Sequence, residues 1–151
     1  WHHIYTKDVF SARKYAVEYE EPPIVEEQGK RKVDQIVREF EPNWGNVFVL
    51  LFHEIKRNEC EPAELENLET QAYTATESYC KKHTISQVYA QTSIGSRARF
   101  WLYKPGTWTP MNNLPLGNFN AYQEFGDAIE EKYILGWLQQ IKSQGPTLPA
   151  P

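Results

Sequence analysis

Residues 46–59 read NVFVLLFHEIKRNE. From Val47 to Phe52 every side chain is apolar at both alternating positions, the pattern of a central strand covered on both faces. The stretch then delivers Glu54, Ile55 and Lys56. A carboxylate and an ammonium are costly to bury, so the strand is expected to emerge at the rim of a sheet at this point. Side chains alternate along a strand, which sends Glu54 and Lys56 to the same side.

The flanking segments build a sheet domain around this strand. Downstream, residues 61–83 start with Pro62 at a first turn, carry acids early and Lys81, Lys82 and His83 late, and so match a helix dipole at both ends. Upstream, residues 29–46 set Val33, Ile36, Val37 and Phe40 among charges ahead of Pro42, Asn43 and Gly45, which reads as a strand entering a turn, with a helix as the alternative. Residues 7–21 place Val9, Ala12, Ala16 and Val17 near helical spacing, with Asp8 as a cap and Pro22 and Pro23 as the stop, and predict a first helix.

Residues 85–106 alternate, break at Gly95 and alternate again, predicting two short strands or one strand with a tight turn. Residues 107–118 read as loop. Residues 122–144 put Phe125, Ile129, Tyr133, Ile134, Trp137, Leu138 and Ile141 on one broad face, the pattern of a final amphipathic helix, and 145–151 form a tail. The expected fold is α/β or α+β: one domain over 1–144 with a central mixed β-sheet flanked by helices.

Composition narrows the function. A chain of 151 residues, 40% hydrophobic and 14% aromatic, can bury a real core. The formal net charge of -4 removes any global attraction to polyanions, so nucleic-acid contact requires a local basic patch. No apolar run approaches the roughly 20 residues that span a bilayer, and WHHIYTKDVF at the start lacks a signal-peptide pattern. A soluble, intracellular protein, nuclear or cytoplasmic, is expected. Cys60 and Cys80 belong to no CxxC, which argues against zinc. They read as two free thiols in a reducing compartment, with a single bridge in a secreted protein as the other option.

A carboxylate at a strand end can hold a divalent cation, and an ammonium one step along can orient a water or stabilise charge growing on a phosphate. A second carboxylate is needed from a neighbouring strand, and Asp34 is the obvious source. Arg97 and Arg99 share a strand face with Trp101 and Tyr103, a combination able to hold phosphate beside stacked bases. Trp44 and Trp108 fall in expected loops, where a ring is free to stack on a base or anchor a partner.

VDQIV with Asp34 and FHEIKR with Glu54 and Lys56, 20 positions later, resemble the PD-(D/E)XK nuclease superfamily. More loosely, the arrangement resembles small uncharacterised fungal domains of that restriction-endonuclease-like fold. Gln71 in ETQAY matches a glutamine that members carry on the following helix, and VYAQTSIGSRARFWLY looks like the strand and glycine turn that often come next. The resemblance covers about residues 8–104. It departs at Val33, where the motif has proline, and at Ala75, where the RecB-like subfamily has tyrosine.

What the resemblance implies is phosphodiester cleavage of DNA or RNA with Mg2+ or Mn2+. The ion would be held by Asp34, Glu54 and the Ile55 carbonyl, and supported by a glutamate from the first helix: Glu18 or Glu21, with Glu20 a further candidate. Lys56 would position the attacking water, and Gln71 would support the substrate or Lys56. A homodimer is one assembly the family uses. The alternative is a nuclease-like fold without activity that binds a protein partner or nucleic acid, which the negative charge favours. The plainer readings are a weak surface pair at Glu54 and Lys56, a surface acid at Asp34, an exposed helix glutamine at Gln71, and solvated arginines on an outer sheet face.

Overall fold

The computed structural model describes residues 1–21, 32–41, 46–57 and 60–145, without the side chains of Glu20 and Glu21. A π-helical turn, Ile4–Val9, leads into strands β1 (Tyr15–Glu21), β2 (Val33–Phe40) and β3 (Val47–Lys56). Helix α1 (Pro62–His83) follows, then β4 (Val88–Ile94), β5 (Arg97–Lys104), β6 (Thr107–Pro110), β7 (Gln123–Glu124) and α2 (Glu130–Gln144).

The strands form one seven-stranded mixed sheet in the order β1-β2-β3-β4-β5-β6, with β7 also pairing β5. β1, β2 and β3 are antiparallel neighbours; β4 lies parallel to β3 and β5 antiparallel to β4. A parallel neighbour cannot be reached by a tight turn, and α1 supplies the crossover from β3 to β4. The expected α+β class, with a mixed sheet and helices on both faces, is the one observed.

The apolar run in β3 is covered as its composition demands. Val49 and Phe52 pack under α1 with Ala72, Ala75 and Tyr79. Leu50 and Leu51 pack on the other side with Ile4, Val9 and the α2 residues Ile134, Leu138 and Ile141. Both Leu50 and Leu51 reach that side because the β2–β3 register shifts at Val37/Arg38, skipping Leu50. Pro62 opens α1 beside a capping box between Glu61 and Glu64.

Three expectations fail. The helix over 7–21 is instead the π-helical turn and β1. Tyr15, Val17 and Tyr19 alternate with Ala16 and Glu18, and the ladder to β2 selects this period over the helical one. Thr107–Pro110 is an edge strand, not loop: Trp108 pairs in register with Tyr103 and stacks on Trp101 at 4.9 Å. The last helix starts at Glu130 rather than near residue 122, because Gln123 and Glu124 pair with β5 and Asp127 Oδ1 accepts the backbone N–H groups of Ile129 and Glu130. Its buried face is therefore Ile134, Leu138 and Ile141, while Ile129 and Tyr133 are exposed. The alternative helix at 29–46 is excluded over Val33–Phe40, which is strand. Pro22, Pro23, Pro42, Asn43, Trp44, Gly45 and the tail beyond residue 145 lie outside the described residues.

Candidate active site

Asp34 is the second residue of β2, and Glu54 and Lys56 close β3. Gln35 pairs with His53 and Ile36 with Phe52, so continuing the register by one residue sets Asp34 opposite Glu54. Paired residues share a sheet face, and Ile36 and Phe52 fix it as the face under α1. Asp34 also reaches across the strand gap: its Oδ2 accepts the backbone N–H of Ile55 at 2.7 Å. The acid of β2 is thus tied to the residue between Glu54 and Lys56.

Glu54 does not emerge into water as expected; it is 3% exposed. Lys56 does emerge. Its ammonium lies 3.7 Å from Glu64 at the start of α1, and both side chains are nearly half exposed. Among the described residues no group of three or more His, Cys, Asp or Glu side chains is arranged to hold a metal ion. The donors present are two carboxylates and a backbone carbonyl, all hard oxygens of the type Mg2+ and Mn2+ take, and Mg2+ commonly completes its shell with water. By donor type alone these residues suit such an ion.

An open groove of about 500 Å3 adjoins Asp34, lined also by Tyr19, Gln35, Ile55 and Arg57. Tyr19 is 49% exposed and rests near the His2 ring at 4.9 Å. Neither Tyr19 nor Arg57 was singled out from the sequence. Tyr19 was hidden by the helical reading of β1, and Arg57 was just the residue after the motif.

The remaining candidates divide. Glu18 lies on β1, not on a helix, and its Oε2 accepts from Arg38 Nε at 2.5 Å. Glu20 and Glu21 end β1, and their side chains lie outside the described residues. Gln71 is half-buried on α1 and makes no hydrogen bond to Lys56.

The arginines do not form an exposed phosphate track. Alternation turns Arg97, Arg99, Trp101 and Tyr103 toward α1, and Arg99 is 1% exposed. Its Nη1 donates to Glu69 Oε1 at 3.3 Å, its Nη2 to the Leu114 carbonyl, and its plane lies 4.4 Å from the Trp101 ring. Arg97 is partly exposed, paired with Glu124 at 3.0 Å and set over Phe119. A buried arginine already matched by a carboxylate has no charge to offer a phosphate, so Arg99 is withdrawn as a nucleic-acid contact.

Behind the strand end lies a polar cluster that the sequence reading also missed. His53 is fully buried on the face opposite Glu54, where Tyr5 Oη sits 2.8 Å from Nδ1 and Ser93 Oγ 2.7 Å from Nε2. Tyr5 donates to Gln91 Oε1 at 2.7 Å, and Gln35 Oε1 lies 3.3 Å from His53 Nδ1. Burial holds the imidazole pKa well below its usual value. Cys60 and Cys80 are free thiols, which removes the single-bridge option; burial pushes Cys80 up to about 12.

Comparison of the chain with family models, curated proteins and solved structures returns no match. No described helix is long and apolar enough to cross a membrane.

Proposed function

We propose that the chain is a PD-(D/E)XK-like domain that hydrolyses phosphodiester bonds in DNA or RNA at the end of β3. The observation that carries this reading is the Asp34–Ile55 hydrogen bond, which joins an acid on β2 to the middle of an E-x-K run on β3. The strand order, with α1 crossing to a parallel β4, supports it.

Asp34, Glu54 and the Ile55 carbonyl would hold Mg2+ or Mn2+. When bound, the ion supplies charge neutralisation and a more acidic water. Lys56, half exposed beside Glu64, would orient the attacking water and meet the charge on the phosphate. Arg57 and Tyr19 give the groove a cation for the backbone and a ring for a base. The two unbridged thiols fit a reducing intracellular compartment.

Two observations favour a second reading, a site without activity in a module that binds partners: Glu54 is buried, and no group of three or more His, Cys, Asp or Glu side chains is arranged to hold a metal ion among the described residues. The deciding assay incubates labelled single-stranded DNA, duplex DNA and RNA with the protein and Mg2+ or Mn2+. Cleavage that is lost in a folded Lys56→Ala variant supports the nuclease; unchanged cleavage in that variant overturns it. A folded wild type that cuts none of the three passes the site to the second reading.

A further inference from the structure

A second cavity, of about 370 Å3, opens between α1 and the segment after β6, away from the strand end. Its volume is in the range of ligand pockets, about 300–1,000 Å3. One wall is a stripe of α1: Glu66, Glu69, Thr70 and Tyr73, at i, i+3, i+4 and i+7. Trp108, Leu116 and Gly117 form the other.

The wall is built rather than incidental. Glu69 is 6% exposed and accepts from Arg99, from Tyr122 Oη at 3.2 Å and from the Gly117 amide at 2.9 Å, so it fixes the opposing segment to α1. Behind it the Arg99 guanidinium lies over Trp101, Trp101 stacks on Trp108, and Tyr73 meets Trp108 edge-on at 5.8 Å. The rings are held in place before any ligand arrives.

The charge in the cavity is one-sided. Arg99 answers Glu69 from behind, but Glu66 forms no ion pair with a described residue. An anion would be repelled here, and a wholly apolar occupant would strip water from Glu66 and the Thr70 hydroxyl with no return. A guanidinium or ammonium on an aliphatic stem meets both demands, with its head at the carboxylate and its stem against Trp108, Tyr73 and Leu116. Leu116 of the cavity wall is 58% exposed, and Leu114 and Phe119 flank it in sequence at 44% and 39% exposure. Three exposed apolar residues on one short segment are what a protein partner would cover.

We propose that this cavity receives a basic side chain, arginine or lysine, from a partner protein whose neighbouring apolar residues cover Leu114, Leu116 and Phe119. The proposal is independent of the strand-end site.

The test follows the Trp108 indole N–H by NMR in the full chain, assigned from Trp108→Phe. The probes are acetyl-Leu-Arg-Leu-amide, the same peptide with uncharged citrulline in place of arginine, and acetyl-arginine-amide alone. The expected result is a saturable shift with the arginine peptide, weakened at least about fivefold by citrulline and by Glu66→Gln. Glu66 is exposed, so Glu66→Gln leaves folding intact even where Trp108 variants do not. Equal affinity for arginine and citrulline peptides, or no saturable shift at millimolar peptide, overturns the proposal. Equal affinity for acetyl-arginine-amide and the peptide overturns the protein partner, leaving a pocket for free small cations.

Discussion

Asp34 Oδ2 and the backbone N–H of Ile55 are hydrogen-bonded at 2.7 Å, which locks the start of β2 to the exit of β3. Asp34→Ala leaves that amide without its partner and is expected to cost about 1–3 kcal/mol. Asp34→Asn keeps an acceptor and costs less. Urea unfolding midpoints of the two variants check the order, and an Ala variant as stable as wild type would show that the bond contributes nothing.

Lys56 should separate function from stability. Its ion pair with Glu64 is 3.7 Å long between nearly half-exposed side chains, so its loss changes stability by about 1 kcal/mol or less. Lys56→Ala is therefore expected to keep the wild-type unfolding curve within that margin. A large destabilisation would make Lys56 a structural residue and spoil its use as a probe of catalysis.

His53 gives the fold a pH dependence of known sign. Burial depresses its folded pKa, while the unfolded chain takes up a proton near the ordinary value of about 6.5. Its contribution is thus full above about pH 6.5 and is lost as pH falls below it toward the folded value, by up to about 1.4 kcal/mol per pH unit. Melting temperatures at about pH 7.5 and about pH 5 should fall more steeply for wild type than for His53→Gln. Parallel slopes would mean that the Tyr5–His53–Ser93 cluster does not sense protons in this range.

Arg99 and Glu69 form a buried pair, with side chains 0% and 7% exposed. Arg99→Met leaves the carboxylate uncompensated and is expected to cost about 3–5 kcal/mol. Adding Glu69→Leu should recover part of that loss, since no buried charge is then left alone. Chemical denaturation of the single and double variants measures the coupling, and additive losses would contradict it.

The central strand, the crossover helix and the β4–β5 turn were legible because each carries its signal locally: an unbroken apolar run, a capped and charge-graded helix, and Gly95 with a positive φ of 57°. β1 was not, since Val9, Ala12, Ala16 and Val17 satisfy helical spacing while the ladder to β2 that overrides it comes from sequence-distant residues. The same long-range dependence hid the burial of Glu54 and Arg99. A charged residue on a strand reads as a surface group unless its partners are known, and Glu69, which holds Arg99, comes from a distant helix. Asp34, by contrast, was singled out because a strand-end carboxylate needs a second one from the neighbouring strand, and its bond to Ile55 became visible only in three dimensions.

The most direct measurement of the strand-end site is calorimetric titration of Mn2+ into wild type, Asp34→Asn and Glu54→Gln. Micromolar binding of one ion to wild type, lost in both variants while their circular dichroism is unchanged, is the expected result. No binding to wild type, or equal binding by all three, would contradict a metal site at the end of β3.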